Sequence, residues 1–323
     1  MSIGVVVIGR NEGERLRKCL DSVRNVANRV VYVDSGSTDG SVALVRGMGF
    51  GVVELDLGTP FTAARARNEG FKKLLELSPG TTYVQFVDGD CEVVPGWLEN
   101  AERFLDARPD VAVVCGRRRE RFPERSVYNM LCDIEWDTPV GEAKACGGDA
   151  LMRADAFERA GKFREDLIAG EEPELCVRLR SAGWKIWRLD QDMTLHDAAM
   201  TRFGQWWKRA LRGGYAFAEG AHLHGAPPER HSVRQSRSAW FWGLGIPVFT
   251  TGLVAWQGVS GLVMLLAYPL QIVRLALRGA RTARENWWNA LFLVMRKFPE
   301  ALGQMKYLYN RVAGKTARLI EYK

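Results

Sequence analysis

Short apolar runs alternate with amphipathic stretches along the first hundred residues. The apolar runs are rich in β-branched and aromatic residues, and each is too short for a helix, so they predict buried strands. The stretches between them carry apolar residues at helical spacing. The predicted strands are Val5–Ile8, Val30–Val33, Val52–Leu55 and Tyr83–Val87, and the predicted helices are Glu14–Val26, Ser41–Met48 and Ala63–Leu77. This alternation predicts an α/β fold with a mostly parallel, twisted sheet flanked by helices.

The pattern becomes less regular further along the chain. Residues 97–107 predict a helix and Val111–Cys115 a strand, whereas residues 117–145 are charged and show no clear period. Helical spacing returns at two short segments, and one more apolar run follows them. These predict helices at Ala154–Ala160 and Glu174–Ala182 and a last strand at Lys185–Arg188.

Composition changes near residue 238. Between Ala239 and Leu277 the only charged residue is Arg274, and Gln257-Gly258 interrupts the apolar run. The length suits two short membrane segments, 239–256 and 259–277, better than one span of about 20 residues. Arginines on both sides predict a hairpin with both ends in the cytoplasm. They are Arg230, Arg234 and Arg237 before the run, and Arg278, Arg281 and Arg284 after it.

Two other arrangements of this run stay open. Pro247 and Pro269 would kink the segments, so the hairpin can also enter the membrane without crossing it. A buried pair of core helices is the alternative that involves no membrane. The tail after residue 285 mixes tryptophans with basic residues and predicts an interfacial helix beside an anionic leaflet. We therefore expect a catalytic domain at residues 1–225 and a membrane-associated helical region at residues 226–323.

Charge and cysteine content narrow the class of protein. The 323 residues carry a net charge of +7, which fits nucleic acid, an anionic membrane or phosphorylated substrates. The basic residues cluster beside the apolar segments, so nucleic acid is the least favoured partner. The six cysteines show no C-x-x-C spacing and predict free thiols in a reducing compartment, without structural zinc. The N-terminus enters an apolar run at once, which predicts a first strand rather than a signal segment.

The strand predicted at Tyr83–Val87 ends in two carboxylates, Asp88 and Asp90, separated by a glycine. Two carboxylates this close repel each other unless a cation or a group of donors lies between them. Oxygen ligands of this kind suit Mg²⁺ or Mn²⁺, which bridge to substrate phosphates. An acidic turn without a metal is the alternative, because Asp and Gly are common turn residues.

Other polar loops follow predicted strands and should meet at the same edge of the sheet. Asp34 ends the second strand, where a carboxylate can accept hydrogen bonds from a base or a ribose; an ordinary helix-capping loop is the alternative. Arg65 and Arg67 cannot share one helix face, so one of them can face a diphosphate and the other the solvent.

The ordered set of these motifs resembles the glycosyltransferases of family 2, which have the GT-A fold. The resemblance covers about residues 3–200. The motifs that carry it are Val7-Ile8-Gly9-Arg10-Asn11-Glu12, Val33-Asp34-Ser35-Gly36-Ser37-Thr38-Asp39-Gly40, Ala66-Arg67-Asn68-Glu69-Gly70, Asp88-Gly89-Asp90, Gly147-Gly148, Gly170-Glu171-Glu172-Pro173-Glu174-Leu175 with Arg178-Leu179, and Ala182-Gly183-Trp184.

The resemblance implies a role for each matching residue. Asp34 corresponds to the base- and ribose-binding aspartate, Arg67 to the diphosphate-facing arginine and Asp88 to the first aspartate of the Asp-x-Asp pair. Further donor contacts fall on Gly9, Glu12 and Gly148, and metal contacts on Asp90 and His196. Glu172 stands where the family places its general base, usually an aspartate; a capping or core histidine is the alternative for His196, and an acidic first helical turn for Glu172.

The resemblance therefore implies an inverting, metal-dependent transferase that uses a nucleotide-diphosphate sugar, most often UDP-linked. The apolar segments suggest a lipid-linked or cell-envelope glycan as acceptor and the cytoplasmic face of the plasma membrane as location. A nucleotidyltransferase is an alternative, and it should carry a glycine-rich loop with lysine or arginine directly after the first strand to hold a triphosphate. In this chain that loop, Gly9-Arg10-Asn11-Glu12-Gly13, is short and partly acidic. A non-catalytic membrane scaffold of the same fold is the remaining alternative.

Overall fold

The computed structural model describes residues 3–25, 29–59 and 61–315. They form two compact units. The first unit comprises the residues up to Phe122 together with Glu135–Ala198, and the second comprises Pro123–Ile134 and the residues from Ala199 onward. The first compact unit ends at Ala198, whereas the domain boundary was predicted after residue 225. The boundary at residue 225 stays a prediction.

The first unit contains nine strands and six of the helices among the described residues. The strands are β1 Ile3–Gly9, β2 Arg29–Asp34, β3 Gly51–Glu54, β4 Tyr83–Asp88, β5 Cys91–Val93, β6 Val111–Glu120, β7 Gly141–Ala143, β8 Ala150–Arg153 and β9 Lys185–His196. The helices are α1 Glu14–Val23, α2 Ser41–Gly47, α3 Ala63–Leu77, α4 Trp97–Ala107, α6 Ala154–Arg159 and α7 Glu171–Ser181. The predicted elements are thus present, although Val26, the predicted end of α1, lies outside the described residues.

All nine strands belong to one sheet, in the order β3-β2-β1-β4-β8-β6-β9-β5, with β7 paired to β9. The first four strands of the alternating pattern, β1 to β4, are parallel to one another. The α/β sheet is therefore confirmed, and its predicted parallel order holds for this half. In the other half β8 is antiparallel to both β4 and β6, and only β6 and β9 run parallel.

The core lies on both faces of this sheet. Val5, Val6 and Val7 of β1 are all fully buried, as expected for a central strand covered by helices on each side. Gly70 of α3 lies close to the sheet: a methyl group there would meet Val6 and come within 2.8 Å of Val33 Cγ2. The helix can approach β1 and β2 this closely only because residue 70 has no side chain.

Strands β6 and β9 are longer than predicted, and their pairing contains register shifts. Val111–Cys115 was expected as a five-residue strand, but β6 continues to Glu120, and β9 continues from Arg188 to His196. The register shifts between Cys115 and Arg117 and again between Arg117 and Arg118. Beyond these bulges Arg118 pairs with Thr194 and Glu120 with His196.

The second unit is helical in its described residues. Its helices are α5 Val127–Glu135, which extends into the first unit at its last residue, α8 Phe203–His224, α9 Val233–Trp240, α10 Ile246–Gln257, α11 Ala267–Leu277, α12 Ala283–Met295 and α13 Lys297–Val312. Helix α5 lies in the segment that the sequence left irregular. A π-helical segment, Phe241–Gly245, links α9 to α10, and a 3₁₀ segment, Gly258–Leu266, links α10 to α11.

Helices α8 and α13 cross at glycines. A methyl group at Gly214 would meet the backbone of Glu300, and one at Gly303 would meet the backbone of Leu211. Glu300 is buried and pairs with Lys297 at 2.6 Å and with Arg296 at 2.7 Å. The absence of side chains at these two glycines allows the two helix backbones to approach this closely.

Residues 241–277 form an apolar hairpin. One helical stretch, Val233–Leu277, is long and apolar enough to cross a membrane by length and composition, and only 11% of its most apolar window is buried. This stretch is folded back on itself at Gly258, which has a φ of +69°. The Tyr268 hydroxyl donates to the Trp242 carbonyl at 2.6 Å, a contact that a straight helix of 26 residues could not make. The predicted interruption at Gln257-Gly258 is therefore confirmed.

Candidate functional site

The carboxyl ends of β1, β2 and β4 bring the first group of predicted site residues together. In the sheet register Gly9 lies opposite Asp34, and Ile8 lies opposite Asp88. Three loops that are far apart in the sequence therefore begin side by side at one edge. This is the edge at which parallel α/β sheets bind ligands.

Asp34 is buried and held by three donors. Its Oδ1 accepts from the Tyr32 hydroxyl at 2.9 Å, and its Oδ2 accepts from the backbone N–H groups of Gly36 and Ser37 at 2.9 and 2.7 Å. Burial, together with the nearby carboxylate, raises the pKa of Tyr32, so the hydroxyl keeps its proton and donates it. The aspartate is thus fixed in one orientation at the end of β2.

The loops after β1 and β2 are tied to each other. The Asn11 side chain accepts from the N–H of Thr38 at 2.7 Å, while the N–H of Asn11 donates to Ser37 at 2.9 Å. Glu12 forms an ion pair with Arg15 at 2.6 Å. A methyl group at Gly9 would lie 3.1 Å from Glu12 Cγ, so a side chain there would press on Glu12. Gly9 and Glu12 therefore shape the wall beside Asp34.

Asp88 lies between two arginines. Its Oδ1 accepts from Arg67 at 2.8 Å, and its Oδ2 accepts from Arg118 at 3.2 Å. Burial lowers the pKa of Arg67, but Asp88 and Glu171 outweigh it, and the net shift is upward. Asp149, which is fully buried, accepts from the N–H of Asp88 at 3.0 Å and pairs with Arg118 at 2.7 Å. Both guanidinium groups therefore stay charged beside the strand end.

Gly148 lies against this group of charges. A methyl group at position 148 would come within 3.0 Å of Arg67 Nη2 and 3.2 Å of Asp88 Oδ2. A side chain at position 148 would therefore push these groups apart by a few tenths of an ångström. The structure brings Gly148, Arg67 and Asp88 together, as the sequence predicted.

Asp90 directly precedes β5, and it lies beside His196, the last residue of β9. His196 Nε2 lies 3.3 Å from Asp90 Oδ2, and both side chains are buried. Burial is the largest cause of the lowered pKa of His196, so the ring is neutral at pH 7 and has a lone pair to share. Its Nδ1 lies 3.6 Å from Glu120 Oε2, and its ring meets Trp136 edge to face.

Glu171 and Glu172 begin α7, but their carboxylates have different partners. Glu171 accepts from Arg67 at 2.7 Å. Glu172 Oε1 accepts from the N–H of Cys146 at 2.5 Å and from the thiols of Cys146 and Cys176 at 3.0 and 3.1 Å. Burial raises the pKa of Glu172, although these hydrogen bonds oppose the shift. Glu172 thus has a raised pKa and binds the two thiols, whereas Glu171 binds Arg67.

Sequence reasoning missed four residues of this site: Arg118, Glu120, Asp149 and Trp136. Asp149 directly follows the Gly147-Gly148 motif, so its position was the one available signal. The others lie in residues 117–145, where the register shifts of β6 break the simple alternation of faces. No spacing rule applied to the sequence alone would have placed Arg118 on Asp88.

The donors at this edge fit a hard divalent cation. Asp90 and His196 each offer a ligand atom, and their separation of 3.3 Å is near the roughly 3.0 Å between adjacent ligands of an octahedral ion with bonds of about 2.1 Å. The Cys91 thiol lies within 4.8 Å of ligand atoms of Asp90 and His196, and equally of Asp88 and Asp149. The two groups are therefore neighbours, and Asp90 with His196 is the pair best placed to hold Mg²⁺ or Mn²⁺.

Comparisons of the sequence identify relatives of this chain. Residues 4–159 match the model of glycosyl transferase family 2. The chain is 26% identical over 203 residues to the succinoglycan biosynthesis protein ExoA of Rhizobium meliloti, covering 58% of this chain and 60% of that protein. It is 28% identical over 232 residues to the pre-mycofactocin glycosyltransferase of Mycobacterium tuberculosis, covering 66% and 46%. The chain thus spans about half to three fifths of these curated relatives.

Solved structures show the same fold. A mannosyltransferase of Pyrobaculum calidifontis, PcManGT, in complex with GDP-Man and Mn²⁺, superposes with a TM-score of 0.64 at 20% identity, covering 96% of this chain and 88% of that one. TarS of S. aureus superposes with a TM-score of 0.54 at 15% identity, covering 90% and 55%. At these identities the likeness concerns the fold alone, and it confirms the GT-A-like architecture.

Proposed function

Since this chain belongs to glycosyltransferase family 2, we propose that it transfers a sugar from a nucleotide-diphosphate sugar to a hydroxyl of a lipid-linked or cell-envelope glycan, with inversion at the anomeric carbon. The observation that carries the proposal is the convergence of Asp34, Arg67, Asp88, Asp90 and Glu172 in the first unit. Asp34 and Asp88 end β2 and β4, and Asp90 directly precedes β5. Arg67 lies in the second turn of α3 and Glu172 in the first turn of α7. The relatives' names support the reaction class but leave the sugar and the acceptor to experiment.

Asp34 is proposed to bind the nucleoside. Its carboxylate is held in one orientation by the Tyr32 hydroxyl and by two backbone N–H groups. A fixed carboxylate at the end of β2 can accept hydrogen bonds from a nucleobase or a ribose hydroxyl. Asn11 ties this loop to the loop after β1, which keeps the carboxylate in place. A carboxylate held in this way supports binding of the donor's nucleoside in one orientation.

The diphosphate is proposed to lie among Arg67, Arg118 and the Asp88–Asp90 turn. Asp90 and His196 would hold the divalent cation, with Asp88 beside it, and the cation supplies positive charge to the leaving diphosphate when bound. Arg67 and Arg118 remain protonated and can donate to phosphate oxygens. Gly148 leaves room for the phosphates to approach these arginines.

Glu172 is proposed as the general base. Its Oε1 is occupied by donors from Cys146 and Cys176, which fix the carboxylate, and the other oxygen can take the proton from the acceptor hydroxyl. The pKa raised by burial increases its proton affinity toward neutral pH, where a base works best. As the hydroxyl oxygen bonds to the anomeric carbon, the bond to the diphosphate breaks, and one displacement inverts the carbon.

The apolar hairpin is proposed to enter the cytoplasmic leaflet of the plasma membrane. From Trp242 to Gln257 the outgoing arm has 16 residues, about 24 Å of helix, which falls short of the roughly 30 Å hydrocarbon core. The Tyr268–Trp242 contact closes the base of the hairpin, so the chain returns on the side it came from. Both flanks carry arginines that suit anionic lipids. Entry without crossing is the arrangement that this geometry favours.

The proposal is tested with a panel of nucleotide sugars that includes UDP- and GDP-linked donors. Full-length protein in anionic vesicles is given each donor with Mn²⁺, Mg²⁺ or EDTA, and released nucleoside diphosphate is measured. We expect turnover with at least one donor, loss of turnover in EDTA, and a fall of about a thousandfold in Asp90→Asn. In Glu172→Gln we expect a fall of about 10²- to 10⁴-fold with donor binding retained.

Other outcomes separate the alternatives. Release of pyrophosphate from a nucleoside triphosphate and a sugar phosphate would identify a nucleotidyltransferase instead. Equal turnover in the wild type and in both variants would contradict the assigned site. Absence of turnover in all three proteins would support a scaffold. Arg159→Gln, which changes an exposed ion pair of α6, is a control that should keep wild-type turnover.

A further inference from the structure

Three polar side chains meet at the start of α7 in a way that glycosyl transfer does not require. The Sγ atoms of Cys146 and Cys176 lie 3.0 and 3.1 Å from Glu172 Oε1 and 3.8 Å from each other. All three side chains are buried. Two thiols on one carboxylate oxygen are more than a hydrogen-bonded base needs, because the N–H of Cys146 already donates to that oxygen at 2.5 Å.

The backbone sets this cluster in place. Glu172 and Cys176 are four residues apart on α7, so their side chains lie on one helix face. Cys146 comes from the loop that turns at Gly147, which has a φ of +83°. The backbone hydrogen bond from Cys146 to Glu172 fastens that loop to the helix. The backbone therefore brings the three side chains together, and their torsions set the final distances between the ligand atoms.

The spacing matches a tetrahedral metal site. Two sulfur ligands with bonds of about 2.3 Å lie roughly 3.8 Å apart around a tetrahedral ion. That is the separation of the two Sγ atoms here. A sulfur and an oxygen ligand should lie about 3.5 Å apart around the same ion. The observed 3.0 and 3.1 Å would have to open by a few tenths of an ångström, which the side-chain torsions of Glu172 permit.

The donor set also selects the metal. Two thiolates and one carboxylate prefer a thiophilic divalent ion such as Zn²⁺ over Mg²⁺ or Mn²⁺. The group at Asp90 and His196, by contrast, offers one oxygen, one nitrogen and, from Cys91, at most one sulfur. Among the described residues, the group that contains Glu172 is therefore the one richest in sulfur.

We propose that Cys146, Glu172 and Cys176 form a binding site for a thiophilic divalent cation of the Zn²⁺ type, and that an ion bound there inhibits transfer by occupying Glu172. Binding releases two protons, one from each thiol, as two metal–sulfur bonds form. The metal site stands on the geometry alone. The inhibition rests on the proposed function, since it assumes that Glu172 accepts the proton of the acceptor.

Binding is tested with Cd²⁺, whose bonds to thiolates absorb in the ultraviolet. Full-length protein is reduced with a phosphine, freed of metal with EDTA, desalted and titrated without any donor sugar. We expect a charge-transfer band that saturates at one equivalent in the wild type and in Cys132→Ser, a control for a buried cysteine of α5. In the Cys146→Ser/Cys176→Ser protein we expect the band to vanish and Cd²⁺ affinity to fall at least a hundredfold.

A wild type without the band, or a band unchanged in the double variant, would overturn the site. A disulfide between Cys146 and Cys176 would also overturn the site. It would show as a protein mass lower by two hydrogens and as two thiols that an alkylating reagent modifies only after reduction. Circular dichroism of the double variant checks that it is folded. If it is not, Glu172→Gln replaces it and should weaken Cd²⁺ at least tenfold while keeping both thiols.

Inhibition is measured separately. With saturating Mn²⁺, we expect micromolar Zn²⁺ to suppress the release of nucleoside diphosphate by the wild type. EDTA followed by Mn²⁺ should restore the release. The double variant, measured against its own uninhibited rate, should need at least tenfold more Zn²⁺ for the same inhibition. Equal Zn²⁺ sensitivity would refute inhibition through this cluster. Absence of turnover in every protein would count against the proposed function, while the Cd²⁺ titration would still decide the site.

Discussion

The first unit and the apolar hairpin of the second unit are both rich in Val, Leu and aromatic residues, yet they place them oppositely. In the first unit Val5, Val6, Val7 and Phe86 are fully buried. In the hairpin Trp256 and Val259 are each 78% exposed. Burial of apolar side chains stabilises the sheet, whereas side chains of the same kinds on the hairpin are largely exposed.

This difference teaches that hydrophobicity alone does not say what a segment packs against. The strands alternate with helices, so each apolar run has a protein partner on both faces. The hairpin turns at Gly258 after a short arm, and Gly261 then lies close to the backbone of Leu253. Composition alone therefore does not distinguish a core helix from an exposed apolar hairpin. The position of the turn at Gly258 is the more informative feature.

The largest effect should appear when one large side chain is removed from each region. Phe86→Ala leaves a cavity beside Phe157 and Phe163, and we expect the free energy of unfolding to fall by about 3–5 kcal/mol. Trp256→Ala removes no buried contact, and we expect a change within about 0.5 kcal/mol. Urea unfolding followed by circular dichroism measures both. Equal losses would mean that the hairpin is packed against protein.

The next effect concerns the membrane. Trp256→Asp together with Val259→Asp places two charges at the tip of the hairpin, and we expect binding to anionic vesicles to weaken by about a hundredfold. Val140→Asp changes an exposed valine of the first unit, 55% exposed against 78% for Val259, and serves as the control. Vesicle co-sedimentation gives the partition. If both proteins partition like the wild type, the hairpin does not enter the bilayer.

Replacing one glycine inside a helix of each region should change stability by a smaller amount, and in opposite directions. Gly70→Ala in α3 forces a methyl group onto Val6 and Val33, and we expect a loss of about 1–3 kcal/mol. Gly252→Ala in α10 meets no atom within 4 Å, and we expect helix propensity to add about 0.5–1 kcal/mol. Thermal unfolding in detergent compares them. Destabilisation of similar size in both would remove the contrast.

The smallest effect is a pH dependence of stability within the first unit. Burial raises the folded-state pKa of Glu172, so its ionisation costs stability. The cost is absent below the ordinary carboxyl pKa and grows as the pH rises through the raised pKa. We therefore expect Glu172→Gln to raise Tm at pH 7 and to lose that advantage near pH 4. Glu171→Gln, which breaks the ion pair with Arg67, should lower Tm at pH 7 instead.

The sequence predicted the first half of the fold closely because its strands and helices obey simple periods. Helix α3 and helix α4 begin and end where the pattern placed them. The residues at the strand ends, such as Asp34 and Asp88, could be found because parallel strands bring their carboxyl ends together. The partners of Glu172 could not be found, because Cys146 reaches it through a turn at Gly147 whose direction no period encodes.

The register shifts of β6 have a consequence for how this site tolerates insertions and deletions. Beyond the bulges, Arg118 and Glu120 share one face and reach Asp88 and His196, while Arg119 pairs with Asp192 away from them. Loss of a single residue between Cys115 and Arg118 would exchange the two faces of the strand end and remove both contacts at once. The register of β6 therefore decides which of its side chains face the site. A deletion in this segment should reduce activity more than any single substitution within it.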